Sequence, residues 1–177
     1  MKDRRGRRII FLAHCLLNQN AKVDGLAGYR GACEPLVRLL TRAGVGIIQL
    51  PCPETTCLGL GRPMGTDTVE QYDTAKYRAV CRKLARAAVR EMKAYQGAGY
   101  RILCVLGVEG SPSCSVDRAP KLVGGKRRMV RGCGLFMEAL KSESVRAGLK
   151  LKFIGVPEAN AAGDMKKALE QIGKATK

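Results

Sequence analysis

The chain predicts a single doubly wound α/β domain over residues 1–177, with a mostly parallel, Rossmann-like sheet and helices on both faces. Short apolar runs alternate with longer segments of helical period in the order β-α-β-α-β-α-β-α. The runs lack a polar alternate face, as strands covered on both sides must. The length of 177 residues is that of one ordinary domain and suffices to bury a core without staples. With three Phe, five Tyr and no Trp, that core rests on Leu, Ile, Val and Ala.

Arg8 to His14 reads as the first strand, short and β-branched. A polar, Gly-containing loop runs from Cys15 to Arg30. A helix follows from about Ala32 to Arg42, with Leu36, Val37, Leu39 and Leu40 on its apolar side and Gly44 and Gly46 ending it. Val45 to Leu50 is the second strand, stopped by Pro51, and a Gly/Pro/Thr-rich loop extends to Thr66.

Asp67 or Thr68 caps a long helix to about Gln96. On it Tyr77, Val80, Leu84, Ala88, Met92 and Tyr95 form one stripe and Arg82, Arg86, Arg90 and Lys93 another, the latter a solvated face. Arg101 to Val108 is the third strand and Glu109 to Gly132 a long loop. A helix over Gly134–Arg146, a strand over Leu151–Val156 and an amphipathic helix over Asp164–Lys174 complete the order. Neither a Gly-x-Gly-x-x-Gly turn nor a Walker-type Gly-Lys-Ser/Thr follows a strand, so the usual nucleotide-phosphate motifs of this architecture are missing.

The formal net charge is +17, from 32 Lys and Arg against 15 Asp and Glu. Such an excess favours acidic partners, whether nucleotides, nucleic acid or anionic metabolites, or else serves only solubility. No signal-peptide pattern opens the chain and no apolar stretch approaches the roughly 20 residues that span a bilayer. The eight cysteines are therefore expected in the cytoplasm, away from any membrane, as ligands, catalysts or buried hydrophobes rather than disulfides.

Three cysteines stand at equivalent places: Cys15 after the first strand, Cys52 after the second and Cys114 after the third. All strand ends of a parallel sheet point the same way, so these thiols project into the crevice where such folds bind ligands. A structural zinc site usually wants four ligands in local pairs, and no Cys-x-x-Cys pair is present. Soft thiolates suit an iron–sulfur cluster, and three of them leave one iron of a four-iron cluster open. The other reading of the same residues is three buried thiols.

The segments Cys15-Leu16-Leu17-Asn18 through Asp24-Gly25, Pro51-Cys52-Pro53-Glu54 followed by Gly59-Leu60, Arg62 and Pro63, and Gly110-Ser111-Pro112-Ser113-Cys114 resemble the signature blocks of the DUF523 family of thiouracil desulfurase (TudS)-related proteins. The resemblance implies a 4Fe-4S cluster on Cys15, Cys52 and Cys114. It also implies a desulfidase whose open iron takes sulfur from a thiocarbonyl substrate, such as a thiolated base, without net redox change. Glu54, Ser111 and Ser113 become the candidates for proton transfer or substrate contact. The chain departs from the family pattern at Lys22-Val23, in Gly59-Leu60-Gly61-Arg62-Pro63, and at Ser115.

Glu54 is placed to act as acid or base, or to cap the loop backbone. Asp24 either contacts substrate or forms a turn with Gly25. Ser111 and Ser113 either hydrogen-bond substrate or close a turn around Pro112. Cys57 is a spare thiol of the Cys52 loop; Cys33, Cys81 and Cys104 are expected in the core; Cys133 sits at a helix start. His14, the only histidine, is expected to face the other side of the sheet from Cys15. Arg118, Lys121, Lys126, Arg127, Arg128 and Arg131 lie after Cys114 and suggest either a small anionic or thiolated substrate, such as a modified nucleotide, or RNA. That loop has no aromatic residue for base stacking, which disfavours a standard RNA-binding module. The rival readings are a sulfur- or electron-transfer iron–sulfur protein and an RNA-binding protein with a structural metal.

Overall fold

The structure is a computed structural model and describes residues 2–158 and 162–177. Four strands form a parallel sheet: β1 (Arg8–Leu12), β2 (Gly46–Gln49), β3 (Arg101–Glu109) and β6 (Phe153–Pro157), in the order β2-β1-β3-β6. Ile10, Phe11 and Leu12 are fully buried, as are Cys104, Val105 and Leu106 on the neighbouring strand. Each fully buried aliphatic side chain contributes roughly 1.5–3 kcal/mol of burial free energy, so these central strands have no reason to alternate in polarity.

The chain steps outward from β1 to β2, then crosses back over β1 to β3 and on to β6. Right-handed crossovers therefore put the helix that follows β1 on one face and the helices of the β2–β3 and β3–β6 connections on the other. Helix α2 (Glu34–Arg42) packs against α7 (Met165–Ala175), and α5 (Ala75–Gly97) against α6 (Leu135–Arg146). Among the described residues, no helix is long and apolar enough to cross a membrane.

Four local readings are corrected. The long third helix is broken: α4 (Val69–Tyr72) ends at Asp73, and α5 restarts where Thr74 Oγ1 accepts the Tyr77 N–H at 3.1 Å. The loop from Glu109 to Gly132 holds an antiparallel hairpin, β4 (Arg118–Val123) and β5 (Lys126–Arg131). Its two-residue Gly124-Gly125 tip has positive φ at both positions, the requirement of a type I′ turn. The Gly/Pro/Thr-rich loop opens with α3 (Pro53–Leu58), started by Pro53 at its first position. The first strand stops at Leu12, and His14 to Leu17 is a single helical turn, α1. Strand alternation therefore does not apply to His14, which faces the same cavity as Cys15 and not the opposite side of the sheet.

Candidate active site

A cavity of about 350 Å³ opens at the carboxyl ends of β1, β2 and β3, and Cys15, Cys52 and Cys114 all line it. Here the chain's direction across the sheet reverses, which leaves a crevice between diverging connections. The thiols are close enough for their charges to act on one another. Burial, then the charge of Glu158, pushes the Cys15 thiol up to about 12. Burial raises Cys114 well above the ordinary thiol value, and Cys15 and Cys52 raise it further. Cys15 and Cys114 are thus neutral thiols as they stand, and only a cationic centre placed between them would favour the thiolates that ligate metal. All eight cysteines are free, so no disulfide competes for these three.

Among the described residues, no three His, Cys, Asp or Glu side chains close around a point as they would around a single metal ion. A four-iron cubane is bulkier, and its ligands stand farther apart. Three soft thiols spaced around a cavity fit such a group better than they fit a lone zinc.

The loop carrying Cys114 is held from every side. The Ser111 Oγ accepts the N–H groups of Ser113 at 3.2 Å and Cys114 at 3.0 Å. The Cys114 carbonyl accepts the Val108 N–H at 2.9 Å, and the Pro112 and Ser113 carbonyls accept the first N–H groups of α6. Glu109 accepts three backbone N–H groups, from Val116 (3.2 Å), Asp117 (3.1 Å) and Arg118 (2.7 Å). Burial raises the Glu109 carboxyl, against the pull of these donors. Two glycines let the loop come this close. A Cβ on Gly107 would meet the Cys114 carbonyl oxygen at 2.3 Å, and one on Gly134 the Ser113 carbonyl carbon at 2.4 Å.

Cys52 sits at the N-terminal cap of α3 and its Sγ accepts the Thr55 N–H at 3.4 Å. The same turn carries Glu54 into the cavity wall. Its Oε2 meets buried Arg62 at 3.0 Å, and Arg62 also donates to the Ala21 carbonyl at 2.8 Å. Glu54 Oε1 accepts the Ser113 hydroxyl at 2.7 Å, and that hydroxyl lies 2.6 Å from the Tyr77 hydroxyl. A continuous polar chain, Arg62–Glu54–Ser113–Tyr77, thus runs behind the Cys52 and Cys114 loops.

Ser111 lines the cavity, whereas Ser113 is buried behind it. Asp24 is exposed and outside the lining; it belongs to a turn closed by the Leu26 N–H on the Val23 carbonyl, with Gly25 at φ +83°. Cys57 lies in α3 and Cys133 beside Lys141, both away from the cavity lining, while Cys33, Cys81 and Cys104 are core residues. Lys22 and Glu158 in the cavity lining, and Gln19 bonded to Glu158, were not marked as functional by the sequence. Lys22 pairs with Glu158 at 2.5 Å, and Gln19 donates to Glu158 at 2.5 Å and to the Cys15 carbonyl at 2.7 Å. Arg62 was visible only as part of a family block. Gln19 and Glu158 carried no local signal, because they lie 139 residues apart and meet only in the fold.

A doubly wound α/β chain that gathers thiols from three successive strand ends, with a carboxylate beside them, has the layout of an α/β protein with a ligand-binding crevice at the carboxyl edge of its sheet. No family model matches the chain. Over 154 residues it is 32% identical to the uncharacterized protein MJ0003 of Methanocaldococcus jannaschii, covering 87% of this chain and 88% of that one. The chain belongs to the same family as that archaeal protein. Among solved structures it is similar to a 4Fe-4S-dependent thiouracil desulfidase, TudS (DUF523Vcz), at a TM-score of 0.51 and 25% identity, covering 82% of this chain and 90% of that one. The fold is therefore TudS/DUF523-like.

Proposed function

We propose that the chain is a 4Fe-4S-dependent desulfidase that removes sulfur from a thiocarbonyl compound such as a thiolated base, with Cys15, Cys52 and Cys114 holding the cluster. The observation that carries this reading is the convergence of these three thiols on one cavity whose wall also presents Glu54. Held by Cys15, Cys52 and Cys114, such a cluster would supply Lewis acidity toward the substrate sulfur.

The chain's own residues do the rest. Val23, Leu26, Val108 and Met129 give the cavity apolar walls that seat a planar base and exclude bulk water. Glu54, held by Arg62, takes a proton from the water that adds to the thiocarbonyl carbon and returns it as the carbon–sulfur bond breaks, so that sulfide leaves and the carbonyl product remains. Ser113, itself held by the Tyr77 hydroxyl, donates to the second oxygen of Glu54 and fixes the direction in which the carboxylate points. Ser111 shapes the Cys114 loop through its two backbone contacts and turns a cavity-lining hydroxyl toward substrate. Asp24 acts only through its turn. The protein works in the cytoplasm, where eight unpaired cysteines remain reduced.

The test is anaerobic purification with iron and sulfide analysis, followed by sulfide release from thiouracil. About four irons per chain and catalytic sulfide release are expected. A colourless, zinc-containing preparation overturns the reading. A brown protein that accepts sulfide and passes it to a partner, without turnover on thiouracil, replaces the enzyme with a sulfur-transfer protein.

A further inference from the structure

The hairpin β4–β5 carries six cations and no carboxylate in the fourteen residues from Arg118 to Arg131. In an antiparallel pair, directly opposed residues share a face, and like charges there repel. Arg118 stands opposite Arg131, and Lys121 opposite Arg128. Counter-charges are few. Arg127 pairs with Asp67 at 2.9 Å, and Lys121 lies within electrostatic reach of Glu70 and Asp73. Among the described residues, Arg118, Lys126, Arg128 and Arg131 form no ion pair, and all four are exposed. Folding alone gives no reason to stack cations across a strand pair.

Position supplies a reason. The face shared by Pro120, Met129, Leu122 and Arg127 is the one that turns toward the cavity, since Met129 and Arg127 line it. By strand alternation Arg118 and Arg131 share this cavity-facing side, while Lys126 and Arg128 stand on the opposite face of the same narrow ribbon. A free small anion needs one or two of them. A repeating anion that leaves the cavity and wraps the exposed edge of the ribbon meets Arg118 and Arg131 on one face and Lys126 and Arg128 on the other.

We propose that the β4–β5 hairpin is a docking arm for the phosphodiester backbone of a single-stranded nucleic acid, laid so that one base reaches the cavity. The arm contributes Coulombic attraction through counterion release and carries no sequence information. The base is read by the cavity, which explains why the hairpin itself has no aromatic residue. A single strand is favoured over a duplex because an unpaired base enters a pocket without the cost of flipping. The assignment is independent of the desulfidase reading, since binding is measured without turnover.

The experiment measures binding of the anaerobically purified full chain to a single-stranded RNA 12-mer, the DNA of the same sequence, the corresponding duplex, and polyglutamate of matched charge. Affinity is followed from about 50 to 200 mM salt. The two single strands are the two sources of the same backbone chemistry, and their ratio identifies the physiological one. The logarithm of the affinity should fall with the logarithm of the salt concentration with a slope of roughly −0.7 per phosphate neutralised, near −3 for four cations.

The variant Lys126→Ala/Arg128→Ala/Arg131→Ala should lose about 2 of that slope and at least about tenfold in affinity at low salt. Its melting temperature should not fall, because the substitutions remove repulsion. The control Arg82→Ala/Arg90→Ala/Lys93→Ala removes the same net charge from the exposed face of α5 and should leave affinity within about twofold. Equal weakening in both triples would reduce the effect to net charge and overturn the proposal. So would polyglutamate binding as tightly as RNA and DNA, or a hairpin variant that binds the single strands unchanged. Iron content does not enter any of these outcomes, so failure of the desulfidase reading would leave them intact.

Discussion

Two consecutive segments of the chain, the turn that carries Cys114 and the hairpin that follows it, are built on opposite principles. From Pro112 to Val116 every residue is buried, and backbone groups meet partners on Ser111, Glu109, Val108 and α6. From Arg118 to Arg131 the ribbon is mostly exposed, its cations face one another, and one ion pair ties it to Asp67. The first segment holds a side chain at a fixed place, which requires close packing and tolerates no added atom. The second presents charge, which acts over distance and tolerates local freedom. A site that needs both a fixed ligand and adaptable attraction can place them side by side, provided that they do not share the same residues.

The largest effect separates the three cavity-lining cysteines, of which the rigid segment holds Cys114, from the cysteines outside the lining. Cys15→Ser, Cys52→Ser and Cys114→Ser are each expected to bring the iron of anaerobic protein from about four per chain to below one. Cys81→Ser, Cys104→Ala and Cys133→Ser should keep it, since none of these residues lines the cavity. Iron analysis of the six variants decides the ligand set, and a fully loaded Cys15→Ser, Cys52→Ser or Cys114→Ser protein would be fatal to that assignment.

Next in size is Glu54, whose carboxylate lines the same cavity as the three thiols. Glu54→Gln keeps the shape and the Ser113 contact and should keep the iron, while turnover on thiouracil falls by about 10²–10⁴. The Arg62 pair predicts a second consequence. A guanidinium left without its counter-charge in a buried site costs up to about 3–5 kcal/mol, so the melting temperature should fall as well. Retained turnover with a lowered melting temperature would make Glu54 a brace for Arg62 and not a base.

A single methyl group probes the contrast more finely. Gly134→Ala drives a Cβ into the Ser113–Cys114 backbone and should destabilise the chain by about 1–3 kcal/mol, with iron lost in proportion. Gly124→Ala, at the hairpin tip, meets no atom within 4 Å. It carries only the cost of φ +57°, roughly 1–2 kcal/mol, and should leave iron untouched. Thermal melting and iron content on the pair show whether strain in the hairpin reaches the site.

The smallest expected change is a gain. Arg131→Thr removes one of two directly opposed arginines from the ribbon and should raise stability by about 0.2–1 kcal/mol, read by thermal melting at low salt and vanishing at high salt. A loss instead would mean that Arg131 is held by a partner within the fold.

The sequence by itself determined the sheet and the meeting of the thiols. Apolar runs such as Ile9 to Leu12 and Ile102 to Val108 can be buried on both faces only in a parallel, helix-covered sheet. Parallel strands end on one side, so residues placed after each strand converge whatever the loops do. The hairpin was also legible in principle, from Gly124-Gly125 between residues of strand propensity, although the density of charge around it reads as loop. The break at Asp73 was not legible, because the helical periodicity passes through it and a cap at Thr74 interrupts only the backbone.

Tertiary structure alone decided what surrounds the thiols. Glu54 and Ser113 lie 59 residues apart, Tyr77 and Ser113 36, and Arg62 and Ala21 41, and no local pattern says that they touch. The demand for glycine at 107 and 134 likewise comes from a turn that reaches the strand end and helix start only after folding. Periodicity encodes which face of an element is buried, a property each segment carries within itself. The partner of a buried polar group depends on where distant segments stop, and that is settled only when the whole core closes.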